Sequence, residues 1–413
     1  MHAIGLGLGI GYAATEAVAL NALDDRIVFD GDSIVAHGHA TVDAYAGNGS
    51  WGFSTWALAL SEGRLFQPIG GNLGVSGDTV ADMYARRAAT VARLPKVVCG
   101  MCGTNDVGAG TAAATITAGL RAYWNYMLAS GARYVVWCTI LPRFAPNSLS
   151  GGSETIRQAV NAWMLAQASR RIKIVDCEAL DLSSDDFGDG LHPNTGGAFK
   201  IGQAVAAVLD AITTAADVIA GWTNAYSVNP TMTGTGGSLN GGATGVVADG
   251  FGLDATQAGG ANVVGSKGVL ADGSPAQIIT ISGSYSGSGR YINFASFSAS
   301  TLEAGDELEY VAEIEVEGLS AEIVRVTPIA AVYDGSFATL FQSEGVYAGD
   351  SAGHPDAVER QVIRTPPWTI QAGAPAWELF GLAIGFKDAA GPTAVAGTIR
   401  IGENKARKVP PGG

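Results

Sequence analysis

With 413 residues, 47% hydrophobic side chains, only 15% charged ones and 58 glycines, the chain is too long for one ordinary domain and too apolar to be disordered. A net charge of −14, with no basic cluster except KARK at 405–408, excludes nucleic acid as a partner, and that run beside VPPGG reads as a solvated terminus. Cys99, Cys102, Cys138 and Cys177 end or lie within apolar runs and lack the second compact pair that a zinc site needs, so they are expected as small buried hydrophobes.

The opening segment, 1–24, is apolar but punctuated by glycine, has no Lys or Arg ahead of its apolar run and is interrupted by Glu16. It makes a poor secretion signal and is too short to span a bilayer, so no membrane partner is expected. From 25 to 218 the text alternates. RIVFDG, RLFQPIG, KVVCGM, ARYVVWCTI and IKIVDC read as strands, separated by helical patterns at 51–61, 79–93, 113–130, 153–169 and 196–218. Strands alternating with helices give an α/β domain with a parallel sheet, in which Trp124, Trp137 and Trp163 are core residues. After Trp222 the helical period disappears. The segment 222–413 carries alternating runs such as LEYVAEIEVEG, expected as antiparallel strands of a jelly-roll β-sandwich, with a boundary near 219–223.

Ligands of open parallel sheets bind at the carboxyl ends of the strands, so chemistry is sought there. The first strand runs into IVFDGDSIVAHG, which places Ser33 in a tight turn entering a helix, as an N-cap or as a nucleophile facing the positive end of that helix. The second leads to GGNLGVSGDTV, where Gly77 is either a turn glycine or a bare backbone amide presented to a substrate oxygen. The third leads to CGMCGTNDVG, where Asn105 forms an Asx-turn or offers its side-chain amide. Beyond the fifth, GDGLHPN spaces Asp189 and His192 three apart, which on a helical turn brings two side chains within about 5 to 6 Å. Each feature has a plain structural reading. Together, in this order, they supply a hydroxyl, a base, an acid that orients the base, and oxyanion donors, which is what acyl transfer requires. Asp32 is expected to brace its turn, and Asp30, Asp78 and Asp106 to serve turns and helix starts. His37 and His39 read as surface-loop residues, with the mouth of a site as the other possibility. There is no phosphate-loop lysine and no H-E-x-x-H, so no metal or other cofactor is called for.

In order, FDGDSI, NLGVSGDT, GTND and DGLHPN resemble the four blocks of the SGNH/GDSL hydrolase superfamily, over residues 25–215. The resemblance implies a flavodoxin-like three-layer fold with a five-stranded parallel sheet, and ester hydrolysis without a metal. It implies Ser33 as nucleophile, His192 as base and Asp189 as its acid, with the amides of Ser33 and Gly77 and the Asn105 side chain as the oxyanion hole. Ile34 stands where the family has leucine, a swap that a packing position tolerates.

The loops AHGHATVDAYAGNGSWGF and LPRFAPNSLSGGSE are polar, with Trp51, Phe53, Arg143 and Phe144 scattered among them, and favour a polar substrate over a lipid. The second domain, from its Asn-Pro-x-x-x-Gly opening, resembles carbohydrate-binding jelly-rolls appended to secreted or phage-tail SGNH proteins. That resemblance implies a polysaccharide O-acetyl esterase, extracellular or virion-associated, with Tyr291, Tyr333, Tyr347, Trp368 or Trp377 as candidates to stack on sugar rings. A broad esterase or thioesterase with a structural sandwich, and a glycan-binding module with a vestigial hydrolase, are the alternatives. Self-association is left open.

Overall fold

The computed structural model of the chain describes residues 26–214, 219, 222, 225–226, 229–347 and 354–409, so the opening segment lies outside the described residues. Its first strands are β1 (Ile27–Gly31), the hairpin β2 (His39–Val42) and β3 (Tyr45–Gly49), then β4 (Val97–Met101), β5 (Tyr134–Cys138) and β6 (Ile172–Val175). β1, β4, β5 and β6 form a parallel sheet in that order. Every residue of β1, β4 and β5 is buried, as continuous apolar runs in a sheet covered on both faces should be.

The expected second strand is present but irregular. Residues 66–75 follow the outer edge of β1, with Ile27 N donating to Phe66 O (2.9 Å), Leu73 N to Phe29 O (2.8 Å) and Val75 N to Gly31 O (3.1 Å). Pro68 and the Gly70–Gly71 pair interrupt the ladder, so four strands are regular and the fifth is a bent edge. The resulting order, second–first–third–fourth–fifth, is the flavodoxin-like one.

Among the described residues the helices are, in chain order, α1 (Ser33–Ala36), α2 (Phe53–Leu60), α3 (Val80–Ala85), α4 (Arg87–Val91), α5 (Thr104–Gly108), α6 (Ala113–Ala129), α7 (Gly151–Leu165) and α8 (Thr195–Ile212). One face of the sheet packs on Phe53, Ala57, Ile201, Val205 and Leu209 of α2 and α8. The other packs on Leu120, Trp124, Met127, Val160 and Met164 of α6 and α7, which completes three layers. Trp124 and Trp137 lie in the core and Trp163 stacks on Trp124. All four cysteines are buried and unpaired. The helix expected over 79–93 splits at Arg86, whose side chain is drawn towards β1.

Beyond α8 the chain forms a β-sandwich of two large, mostly antiparallel sheets. One contains Gly236–Asn240, Val247–Asp254, Tyr291–Ala299, Ile323–Asp334, Thr339–Tyr347 and Pro375–Phe386. The other is built on Pro275–Ser282, Glu307–Glu317, Val358–Arg364 and Gly397–Lys408.

Two expectations are corrected here. The stretch AHGHATVDAYAGNGSWGF is not a polar loop: β2 and β3 join the first sandwich sheet, β3 running parallel to Thr339–Tyr347 with Gln342 opposite Tyr45 and Tyr347 opposite Gly49. KARK is not a solvated tail either, because it ends the strand Gly397–Lys408, where Arg407 Nε donates to Glu309 (3.0 Å) and Lys405 Nζ to Ile219 O (2.8 Å). Trp56 of α2 and Ala198 of α8 belong to the sandwich core, so the two units share buried surface. Gly202 lets α2 and α8 pack against each other, since a Cβ there would lie 2.3 Å from that of Trp56. Among the described residues no helix is long and apolar enough to cross a membrane.

Candidate active site

β1 ends against β4 so closely that a Cβ on Gly31 would fall 1.9 Å from Met101 O, which leaves only glycine before the turn. Asp32 then caps α1, its Oδ1 accepting from Ile34 N at 3.0 Å, and Ser33 becomes the first helical residue. Asp32 thus braces the turn. Fully buried, with its Oδ2 lacking a hydrogen-bond partner, it has its pKa pushed up to about 7, burial outweighing the Ile34 amide and the charge of Arg143.

His192 is delivered by a closed loop. Gly188 N donates to His192 O (2.9 Å) and Asn194 N to Asp186 O (2.9 Å), while Asn194 caps α8 through Gly197 N (3.1 Å). Gly190, at φ 81°, passes so near the Phe144 carbonyl that a Cβ would lie 2.3 Å from it, and Phe144 N donates to Gly190 O at 2.8 Å. The imidazole Nε2 stands 2.9 Å from Ser33 Oγ and Nδ1 stands 2.8 Å from Asp189 Oδ2. Asp189 Oδ1 accepts from the amides of Leu191 (2.9 Å) and His192 (2.8 Å). Burial opposes ionisation of Asp189, but these donors and the imidazole hold its pKa at about 2. A carboxylate acceptor on Nδ1 favours the tautomer with hydrogen there, leaving Nε2 to take a proton from Ser33.

The two expected oxyanion residues are tied to each other and to β1. The edge segment leading to Gly77 is held on β1 and α1 by Asn72, whose Nδ2 donates to Val35 O (2.8 Å) and whose Oδ1 accepts from Gly74 N (3.0 Å). Gly77 is exposed at φ 86° with nothing within 4 Å of a Cβ position, so its surroundings are open. Asn105 Nδ2 spends one hydrogen on Asp78 O (2.8 Å), which leaves the second for another acceptor. Asp106 Oδ2 accepts from Val80 N (2.9 Å), fixing the start of α3 as a helix-start carboxylate should.

His37, Asp30, Arg86 and Arg143 support the site more than their sequence surroundings suggest. His37 is not a surface decoration: its ring stacks on that of His192, centroids 4.3 Å apart and planes 26° apart, with Nδ1 buried and unpartnered. Burial, then the nearby His192, depress its pKa, so it stays neutral. The available signal was spacing, since a residue four after Ser33 lies one helical turn above it. His39 instead bonds Asn48 Oδ1 (3.0 Å) across the hairpin. Asp30 is no turn residue but a buried strand carboxylate held by Arg86, Thr90 (2.6 Å) and Tyr123. Arg86 also donates to Asp78 (2.6 Å) and to Gly31 O (2.7 Å), clamping the Gly77 loop to β1. An aspartate inside an apolar strand demands such a partner. Arg143 donates to Thr104 Oγ1 (3.1 Å), steadying the loop that carries Asn105.

Of the aromatic candidates in the sandwich, Trp368 spends its Nε1 on Asp43 O (2.9 Å), Tyr291 is exposed, and Trp377 stacks with Phe297 and Phe337. The side chain of Tyr347 lies outside the described residues. Among the described residues no group of three or more His, Cys, Asp or Glu side chains is arranged to hold a metal ion.

Residues 29–198 match the model of the GDSL-like lipase/acylhydrolase family. No curated protein matches the sequence. Solved structures similar to parts of the chain include a carbohydrate esterase family 3 protein from Talaromyces cellulolyticus, at 21% identity and TM-score 0.33, covering 45% of this chain and 96% of that one. A family 3 carbohydrate esterase from Clostridium thermocellum is 17% identical with TM-score 0.35, covering 46% and 100%. A structure from a study of carbohydrate-binding modules of the β-sandwich superfamily is 14% identical with TM-score 0.28, covering 38% and 57%. Residues 29–198 therefore carry a GDSL-like lipase/acylhydrolase domain, and the chain is a hydrolase over that part of its length.

Proposed function

We propose that the chain is a serine esterase that removes O-acetyl groups from a polysaccharide. In this reading His192 Nε2 takes the proton of Ser33 as Oγ attacks the ester carbonyl, and Asp189 stabilises the imidazolium that forms. The oxyanion is held by the amides of Ser33 and Gly77 and the second hydrogen of Asn105 Nδ2. His192 then returns the proton to the departing sugar hydroxyl, and water repeats the sequence on the acetyl-enzyme. His37 acts as a positioning residue that keeps the imidazole plane in line. The observation that carries the reading is the continuous hydrogen-bonded chain from Ser33 Oγ through both nitrogens of His192 to Asp189.

The groove beside His192 supports a small acyl group. It has a volume of about 320 Å³ and is lined by His37, Trp51, Gly188, Pro193 and Asn194. The test is acetate release from a panel of acetylated polysaccharides, by the wild type and by Ser33→Ala. Release that survives Ser33→Ala removes the nucleophile assignment. If p-nitrophenyl acetate is cleaved but no polymer releases acetate, the polysaccharide substrate is wrong. The apolar contributions of Trp51 and Pro193 to the same groove support a second reading, a broad esterase or thioesterase, which faster cleavage of short acyl thioesters than of any acetylated glycan would favour.

A further inference from the structure

We infer that the outer face of the sandwich sheet containing Tyr291–Ala299 and Pro375–Phe386 binds an uncharged polysaccharide chain on a platform made by Phe297, Phe337 and Trp377. The three rings come from separate elements and lie nearly parallel. Trp377 is 3° from Phe337 and 17° from Phe297, with centroids 6.0 and 5.5 Å apart. Phe297 is 47% exposed and Phe337 60% exposed, so folding alone gains little from placing them there. The inner face of the same strands is already filled by Phe294 and Phe380, and the platform residues are the outward half of the alternation.

Phe337 is also held in a conformation that an aromatic residue resists. Its φ is 66°, the left-handed region usually left to glycine, asparagine or aspartate. Asp334 enforces the turn, its Oδ1 accepting from Ser336 N (2.8 Å), Ser336 Oγ (2.8 Å) and Ala338 N (2.9 Å). A rigid turn that presents a strained, solvent-facing ring parallel to two others is a preorganised stacking surface.

Phe297 also borders an open groove of about 480 Å³, floored by glycines and edged by Ser238, Asn240, Asp254 and Asn293. Flat aromatic faces beside amide and hydroxyl groups suit the C–H faces and hydroxyls of sugar rings. No Lys or Arg lines the groove and the chain carries net charge −14, so uronate, sulfate or nucleic-acid chains are disfavoured.

The platform stands at the Thr339 end of the strand Thr339–Tyr347, whereas Tyr347 pairs with Gly49, beside Gly38 and the His37 turn. Eight residues of strand put roughly 25 Å between these points, so one long chain reaches both and a small ester does not. In naming the polymer brought to the esterase, the inference rests on the proposed glycan substrate, although the platform shares no residue with the hydrolytic site.

The test is native affinity electrophoresis of the full chain through gels containing glucomannan, arabinoxylan or galactomannan, alongside Trp377→Ala and Phe337→Gly. Glycine relieves the strained backbone, so Phe337→Gly is expected to melt no lower than the wild type. Retardation by at least one polymer, weakened at least tenfold in both variants with p-nitrophenyl acetate turnover within twofold of wild type, is the expected result. Absence of retardation by every polymer, or equal retardation of wild type and variants, overturns the inference. So does a wild type that sediments as a dimer while Phe337→Gly sediments as a monomer, since the rings would then meet a second copy. Binding without acetate release would sink the esterase substrate and leave the platform standing.

Discussion

Asp32→Asn tests the electrostatics of the Gly31–Ser33 turn without touching Ser33 or His192. The Asp32 carboxyl is fully buried, so its folded pKa of about 7 needs no allowance for solvent screening, against 3.8 for an ordinary aspartate. Because the folded value is raised, the native state binds the proton more tightly than the unfolded chain. Stability from this group is therefore complete below pH 3.8 and lost as pH rises to about 7. At roughly 1.4 kcal/mol per pH unit, the loss is about 4 kcal/mol. Asparagine keeps the acceptor for Ile34 N and cannot ionise, so any constant offset from exchanging an oxygen for an amino group cancels between pH values. For a unit of this size 1 kcal/mol moves the midpoint by roughly 2–4 °C, so the variant should gain about 10 °C on the wild type between pH 4 and 8. Scanning calorimetry across that range reads the gap directly. A gap that stays constant within about 1 °C would show that Asp32 titrates normally, and the burial argument would fail.

Asn105→Ala should lower kcat for p-nitrophenyl acetate by roughly 10² to 10³-fold with the fold retained, and a variant near wild-type turnover contradicts its oxyanion role. Arg86→Met strips the buried Asp30 of its cationic partner and releases the Gly77 loop. It should cost about 3–5 kcal/mol in denaturant unfolding and lower turnover, with Arg86→Lys only partly restoring either because one ammonium cannot reproduce three directed donors. His37→Ala should reduce kcat/KM about tenfold, on the order of the 1.4 kcal/mol that such a stacked pair contributes, while His37→Phe keeps most of it. Equal losses in both His37 variants would remove the stacking account.

The hydrolase half was legible because its signals are local. Strand ends were marked by β-branched runs breaking into glycine, and GDS, SGD and TND each follow a strand end directly, while DGLH is brought back to the same edge by the loop after Ile172–Val175. Asp189 and His192 do meet, at 2.8 Å, but through a loop turned by the left-handed Gly190 rather than through the helical turn that their i, i+3 spacing suggests. His37 and Arg86 were harder. Each is defined by what it meets across the turn or the sheet rather than by its own neighbours.

The amino-acid order by itself determined the alternation of strands and helices, the switch to period-two patterning after Trp222, and the sequence of polar turns above the parallel sheet. Only the tertiary structure decided that β2 and β3 extend the sandwich, because backbone pairing between Tyr45–Gly49 and Thr339–Tyr347 leaves no mark in either segment. It also decided that Phe297, Phe337 and Trp377 share one surface. A strand's outward residues look alike in sequence wherever they point, and the register of distant strands alone sets which of them become neighbours.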